Sequence, residues 1–186
     1  MSATPTVLLA MDFQRGIVDR LGDDAVVASA VRAVEGARAH GIPVVFVRVA
    51  FRPGYPEVSP RNLAFTAFAA TGDGMSQDSE QTRVIAELAP RADEPVVLKR
   101  RVSAFTGSDL DVVLRALGAE HLVLAGISTS GVVLSTVRQA ADLDFGLTVL
   151  ADACGDRDPE VHRVLTEKVF PRQAAVTTAD AWLASL

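Results

Sequence analysis

Short runs of apolar residues alternate with amphipathic stretches along most of the chain. TVLLAM (6–11), PVVFVRVAF (43–51) and PVVLK (95–99) have the pattern of buried strands, and HLVLAGI, LTVLADA and AAVTT repeat it later. The stretches between them place apolar residues three or four positions apart, as in helices that pack on a sheet. Strands that alternate with helices predict an α/β fold, with a doubly wound parallel sheet covered on both faces.

The stretches between the strands also carry signals for helix ends. DDAVVASAVRAVEGARAHG (23–41) has one apolar face and ends at a glycine. In GSDLDVVLRALG, Ser108 and Asp111 have the spacing of a capping box, which predicts a helix that begins at the serine. The residues SEQTRVIAEL (79–88) predict a further helix.

One long segment, residues 52–79, fits neither pattern. It opens with RPGYPEVSPRN, whose prolines exclude a helix and a central strand there. Loops of this length in a compact domain usually have a function. We expect the segment to be a lid over the substrate, with Arg52, Tyr55 and Arg61 facing it; a rigid structural loop is the alternative.

Composition and charge exclude several classes of function. The 186 residues are 49% hydrophobic, the net charge is −5, and no run of Lys or Arg forms a basic stripe, so we expect neither nucleic acid nor a membrane as a partner. The first residues resemble neither a signal peptide nor a membrane span. The single cysteine, Cys154, cannot form an internal disulfide. We expect one cytoplasmic domain over residues 1–186.

Polar residues that follow the predicted strands are the candidates for chemistry. In such sheets, ligands bind beyond the carboxyl ends of the strands. The candidates there are Asp12, Gln14, Arg52, Lys99, Arg101, Ser128, Thr129, Ser130, Asp152 and Cys154. Asp12 and Lys99 would meet at one rim as a proton-transfer pair. Taken alone, Asp12 could instead cap a turn and Lys99 could be a solvated strand end.

Three motifs in order carry a resemblance to a known family. LLAMDFQRGIVD, VVLKRRVSAFTGSDLDVVLRALG and LVLAGISTSGVVLSTVRQAADLDFGLTVLADAC resemble segments of the isochorismatase-like (cysteine hydrolase) superfamily, over essentially the whole chain. The resemblance implies a three-layer α/β/α fold with a six-stranded parallel sheet. It also implies a catalytic Asp–Lys–Cys triad, with Asp12 and Lys99 in the first two roles.

The third member of that triad is absent from the matching position. Aligned on the family's nucleophile turn, GISTSGV places Val132 where the cysteine belongs, and a valine side chain excludes covalent catalysis there. Ser128 and Thr129 are expected as turn and capping residues whose backbone N–H groups face a substrate oxygen. The resemblance also implies a cis peptide between Ile127 and Ser128.

Two further sites are weaker candidates. Cys154 could act as a nucleophile with His162, although a lone buried cysteine usually only packs. Family members that hydrolyse nicotinamide bind a metal through histidines after the second strand. The corresponding stretch AFRPGYPEVSPRNLAF has none, so we expect no metal and no other cofactor.

The resemblance implies a small-molecule substrate and a homo-oligomer, either dimer or tetramer. Asp12 and Lys99 are the expected catalytic residues. The expected substrate contacts are Gln14, Arg52, Tyr55, Arg101, Phe105, Ser128, Thr129 and Val132.

Three functions remain open from the sequence. The first is hydrolysis of a vinyl ether (a C–O bond), as in isochorismatase itself, which lacks the cysteine; Asp12 would be the general acid. The second is hydrolysis of a C–N bond by water that Asp12 activates, with the Ser128 and Val132 amides as oxyanion donors. The third is a catalytically silent relative that binds a metabolite. For an acid role, burial of Asp12 must outweigh the opposite effect of Lys99 on its pKa.

Overall fold

A single parallel sheet of six strands organises the protein. The computed structural model describes residues 4–70 and 72–186, and every strand pairing in the sheet is parallel. The strand order is β3-β2-β1-β4-β5-β6. The strands are β1 Thr6–Met11, β2 Val44–Val49, β3 Val96–Lys99, β4 His121–Ile127, β5 Gly146–Gly155 and β6 Ala175–Thr177.

Helices cover both faces of this sheet. They are α1 Arg15–Leu21, α2 Asp24–Ala39, α3 Leu63–Ala69, α4 Leu110–Ala116, α5 Leu134–Asp142, α6 Pro159–Val164 and α7 Ala179–Leu183. Alternate residues of β1 enter two separate apolar clusters: Leu9 packs with residues of α4 and α5, and Leu8 packs with residues of α2 and α7. The predicted α/β/α fold with a six-stranded parallel sheet is confirmed. No helix among the described residues is long and apolar enough to cross a membrane.

The prediction of a helix over residues 79–88 is wrong. The structure has two short 3₁₀ turns there, Glu80–Thr82 and Ala86–Leu88. The backbone between them bonds to a distant segment instead of to itself: Arg15 N donates to Arg83 O at 3.0 Å, and Ile85 N donates to Phe13 O at 3.0 Å. These long-range bonds replace the helical ones.

The predicted capping box is also wrong. The N-cap of α4 is Asp109 and not Ser108. The Ser108 hydroxyl donates to Ala104 O at 2.6 Å, which closes the turn that precedes the helix. In addition, α1 and α3, two helices of seven residues each, were not predicted.

The carboxyl ends of β1 and β2 are tied together by a buried amide. Gln14 Nε2 donates to Val49 O and to Thr82 O, both at 2.9 Å, and Gln14 Oε1 accepts from Val49 N at 2.7 Å. On the other side of β1, Met11 is paired with Gly126 of β4. This fixes the position of the residue that follows β1, which is Asp12.

We expect Gly126→Ala to destabilise the fold at this point. A Cβ at Gly126 would lie 2.9 Å from Met11 O and 3.0 Å from Met11 Cβ, so β4 would have to move away from β1. Overpacking of this kind costs about 1–3 kcal/mol. Urea unfolding measures the free energy.

The matched control is Gly74→Ala. A Cβ there has no atom within 4 Å among the described residues. Its effect should stay within about 1 kcal/mol. Equal effects of the two alanine substitutions would show that β4 does not pack against β1 as tightly as the structure has it.

Candidate active site

Asp12 and Lys99 form a buried ion pair at the carboxyl ends of neighbouring strands. Lys99 Nζ lies 2.9 Å from Asp12 Oδ2, and their side chains are only 2% and 6% exposed, respectively. Asp12 directly follows β1 in a left-handed conformation (φ 58°), and its N–H donates to Val47 O at 2.8 Å. Lys99 is the last residue of β3. The predicted meeting of these two side chains is confirmed.

The Lys99 ammonium group has an acceptor for each of its three protons. Besides Asp12, Nζ donates to Arg101 O and to Val102 O, both at 3.1 Å. An ammonium group has three donors and no acceptor. Its hydrogen-bonding capacity is therefore used completely, and its charge is held in place.

The Asp12 carboxylate is satisfied on one oxygen only. Oδ2 bonds Lys99, whereas Oδ1 is buried and has no hydrogen-bond partner among the described residues. Burial raises the pKa of Asp12 above its ordinary value; the charge and hydrogen bond of Lys99 act against this. The nearby N–H of Val49 also lowers the pKa, although its own hydrogen bond goes to Gln14.

A cavity of about 340 Å³ opens beside this carboxylate. Asp12 and Lys99 line it together with Ser128 and Val132, which belong to the turn after β4. The peptide bond between Ile127 and Ser128 is cis, as the family resemblance implied. Most of the remaining wall is apolar and includes Ile17, Leu21, Phe65, Phe68 and Met75. The cavity can therefore hold a small, largely apolar molecule in contact with Asp12.

Several predicted substrate contacts are not among the residues that line this cavity. The Gln14 amide is used by the backbone of Val49 and Thr82, as described above. Phe105 is buried in the core and packs 6.1 Å from Phe145, centroid to centroid. Thr129 is fully buried and is hydrogen-bonded through Oγ1 to His162 Nδ1 at 2.8 Å.

The arginines and the tyrosine of the predicted lid are also engaged elsewhere. Arg52 pairs with Glu57, and Arg101 Nη2 donates to Glu57 O at 3.1 Å. The Tyr55 hydroxyl donates to Gly72 O at 2.7 Å. Neither these side chains nor Arg61 lines the cavity. Its wall is instead formed from the same irregular segment by α3 and Met75.

Two arginines that line the cavity were missed by the sequence analysis. Arg20 is on α1 and Arg157 is between β5 and α6. The sequence contained a signal for Arg20. Ile17, Arg20 and Leu21 have the spacing of one helix face, and all three line the cavity. No local pattern marks Arg157, which reaches the cavity only because β5 ends beside β4.

The only thiol of the chain is outside the cavity lining. Cys154 is buried, and its Sγ lies 3.9 Å from Leu124 O. Burial raises the pKa of this thiol to about 12. The hydrogen bond of His162 goes to Thr129, so the structure does not show the Cys154–His162 pair that the sequence left open. Among the described residues, no three His, Cys, Asp or Glu side chains come together as a metal site.

Comparisons with known proteins show the family to which the chain belongs. The model of the isochorismatase domain matches residues 6–181. The ureidoacrylate amidohydrolase RutB of Stutzerimonas stutzeri is 31% identical, over 100% of this chain and 82% of its own length. The phenazine biosynthesis protein PhzD of Pseudomonas fluorescens is 34% identical, over 94% of this chain and 83% of its own.

A solved structure gives the same result. An isochorismatase family protein from Burkholderia thailandensis superposes with a TM-score of 0.83 at 28% identity, covering 100% of this chain and 97% of that one. The fold, the domain match and the relatives therefore agree. This chain belongs to the isochorismatase family, whose members include hydrolases.

Proposed function

We propose that this protein hydrolyses a small molecule by acid–base chemistry at Asp12, without a nucleophilic thiol. The observation that carries the proposal is the state of the Asp12 carboxylate: Oδ2 is fixed by Lys99, Oδ1 is buried without a partner among the described residues, and Asp12 lines the cavity. A carboxyl group in this setting can hold a proton at Oδ1 and pass it to a bound molecule. Lys99 positions the group and limits the rise of its pKa.

The proposal excludes a covalent intermediate at the turn after β4. Val132, which the sequence resemblance aligns with the family's cysteine, lines the cavity, and its side chain offers neither a lone pair nor a proton. Cys154 is buried away from the cavity lining, with a thiol that stays protonated at neutral pH because its pKa is raised to about 12. Both observations support direct attack by water.

Hydrolysis of a vinyl ether is the reaction that these groups support best. Asp12 would give its proton to the terminal carbon of the enol ether, which leaves an oxocarbenium ion. Water would then add to the cationic carbon and return a proton to Asp12. The hemiketal so formed then breaks its other C–O bond: its hydroxyl gives up a proton, the leaving oxygen takes one up, and the products are an alcohol and a ketone. The apolar wall supports this route because burial is the leading influence on the pKa of Asp12 and raises it, which favours the protonated form.

Hydrolysis of an amide is the second candidate. It is favoured by the match to the relative named ureidoacrylate amidohydrolase over the full length of this chain. Here Asp12 would act as a base: Oδ1 would take a proton from water as the water attacks the carbonyl carbon. Asp12 would then give this proton to the nitrogen as the C–N bond breaks, which releases the amine and leaves a carboxylic acid. The amides of Ser128 and Val132, two residues that line the cavity, would stabilise the negative oxygen.

Some expectations from the sequence stay predictions. They are the organisation of residues 1–186 as one domain, the cytoplasmic location, the homo-oligomer of two or four subunits, and the role of Gln14, Arg52, Tyr55, Arg101, Phe105 and Thr129 as substrate contacts. Of the predicted contacts, the proposed mechanism uses Ser128 and Val132.

We expect Asp12→Asn to abolish turnover, because asparagine keeps the shape of the side chain but cannot exchange the proton. General acid–base catalysis contributes about 100-fold to 10,000-fold in rate, so a loss of that size is expected. The measurement is a screen of the purified protein against vinyl ethers and small amides, followed by kinetics on each substrate found. Asp19→Asn, at an exposed position of α1, is the control. Full activity of Asp12→Asn would refute the acid–base role of Asp12. No turnover of any compound by the wild type would favour the silent binding protein.

The pH dependence of kcat/KM separates the two reactions. An acid must be protonated, so vinyl-ether hydrolysis should fall as the pH rises through the raised pKa of Asp12. A base must be ionised, so amide hydrolysis should fall as the pH decreases through the same pKa. A profile with no ionisation attributable to Asp12, tested by comparison with Asp12→Asn, would contradict both mechanisms.

We expect Lys99→Met to shift this ionisation to higher pH. Without the ammonium group, burial acts on Asp12 unopposed and its pKa rises further. The variant should also lose about 3–5 kcal/mol of stability, because removal of Lys99 leaves the buried Asp12 carboxylate without its ion-pair partner. If Lys99→Met does not fold, Lys99→Arg is measured in its place. This variant keeps the charge, so it should leave the ionisation of Asp12 near its wild-type position. Lys168→Met, at an exposed site, is the control. An unchanged profile in Lys99→Met would refute the positioning role.

We expect activity to be independent of Cys154. Iodoacetamide should not label the native protein, since the thiol is buried and protonated, but should label it completely in urea. Cys154→Ser and Cys154→Ala should retain turnover. Mass spectrometry measures the labelling, and kinetics measure the activity. Two folded but inactive variants would show that the nucleophile is Cys154 after all.

A further inference from the structure

The cavity beside Asp12 carries an excess of positive charge. Four charged side chains line it: Asp12, Lys99, Arg20 and Arg157. Asp12 and Lys99 neutralise each other in their ion pair. The two guanidinium groups remain, although the protein as a whole has a net charge of −5. The positive charge is therefore a local property of this cavity.

Arg20 is held in place without a carboxylate partner. Its Nε donates to Gly16 O at 2.9 Å, one helical turn earlier, and its guanidinium carbon lies 5.6 Å from the centroid of the Phe68 ring. No carboxylate oxygen of the described residues lies within 4.0 Å of it. The stacking and the single hydrogen bond orient the group and leave its two terminal amino groups for another partner.

Arg157 is exposed and has no hydrogen bond or ion pair within the described part of the chain. The acidic residues on either side of Arg157 accept hydrogen bonds from backbone N–H groups. Asp156 Oδ2 accepts from Ser130 N at 2.8 Å, and Asp158 Oδ1 accepts from Glu160 N at 2.9 Å. The carboxylates nearest in sequence thus serve the turn after β4 and the start of α6, and they leave the guanidinium unneutralised.

We infer that the substrate of this cavity carries a carboxylate group that Arg20 and Arg157 bind, joined to a small apolar body. This rests on the proposed function, since it concerns the molecule that Asp12 acts on. A guanidinium presents parallel N–H donors that match the two oxygens of a carboxylate. The apolar wall of Ile17, Phe65 and Met75 suits a hydrocarbon body, and about 340 Å³ limits its size. The two arginines would place the bond to be cleaved relative to Asp12 Oδ1.

The test is a binding measurement that does not depend on turnover. Isothermal titration calorimetry compares benzoate with acetophenone, and hexanoate with 2-heptanone; each pair has nearly the same shape, and neither neutral ketone can be hydrolysed. We expect the wild type to bind at least one carboxylate about tenfold or more tightly than its ketone. Added NaCl should weaken the binding of the carboxylate and leave the binding of the ketone unchanged.

The variants Arg20→Gln and Arg157→Gln should each weaken binding of the carboxylate by about tenfold, with little change for the ketone. Arg15→Gln is the matched control: it removes the same charge from an exposed position of the same helix but does not line the cavity. Its effect should stay below about twofold, the small change expected for a charge that makes no direct contact.

Three results would overturn the inference. They are equal affinity for carboxylate and ketone in both pairs, an effect of Arg15→Gln as large as that of the other two variants, and no binding of either carboxylate. The proposed function is tested separately by the loss of turnover in Asp12→Asn. Loss of turnover there without a carboxylate preference would leave the acid–base role intact and refute only the substrate class. A carboxylate preference together with full activity of Asp12→Asn would support the substrate class and refute the acid–base role of Asp12.

Discussion

The ion pair between Asp12 and Lys99 is the constraint on which the rest of the site depends. Moving two charges out of water costs several kcal/mol per ion, and their mutual attraction offsets this only when the remaining hydrogen-bonding groups are also satisfied. Lys99 meets that condition through Arg101 O and Val102 O, so the chain after β3 must fold back over the ammonium group. Asp12 does not meet it, because Oδ1 has no partner in the described structure. An unsatisfied buried acceptor costs about 1–3 kcal/mol, and here it belongs to a residue that lines the cavity.

The sheet supplies the geometry that this pair needs. Lys99 ends β3, Asp12 follows β1, and β2 lies between the two strands. The long lysine side chain therefore spans the end of β2 to reach the carboxylate. Gln14 fixes the end of β2 at Val49, and the close approach of Gly126 to Met11 fixes β1 from the other side. A shift of either strand would lengthen the contact of 2.9 Å between the charged atoms.

The sequence allowed prediction of the parts of the molecule that local patterns determine. The strands and α2 follow from hydrophobic periodicity, and the meeting of Asp12 with Lys99 follows from the rule that parallel strands end at one rim. The segment 79–88 was mispredicted because Arg83 and Ile85 bond to residues far away in sequence. Part of the cavity wall was missed for the same reason: Arg20, Arg157 and α3 come from three separate segments that only the folded chain brings together.

The charge of the inferred substrate bears on the choice between the two mechanisms. A carboxylate bound in the cavity adds a negative charge near Asp12, and its apolar body displaces water from the wall. Both changes disfavour the ionised form of Asp12, so both raise its pKa beyond the increase that burial already causes. Lys99 cannot compensate by moving, because its three protons are already bound. Substrate binding would therefore favour the protonated form of Asp12, which an acid requires, over the ionised form, which amide hydrolysis requires. On this argument, a carboxylate substrate and cleavage of a C–O bond support each other.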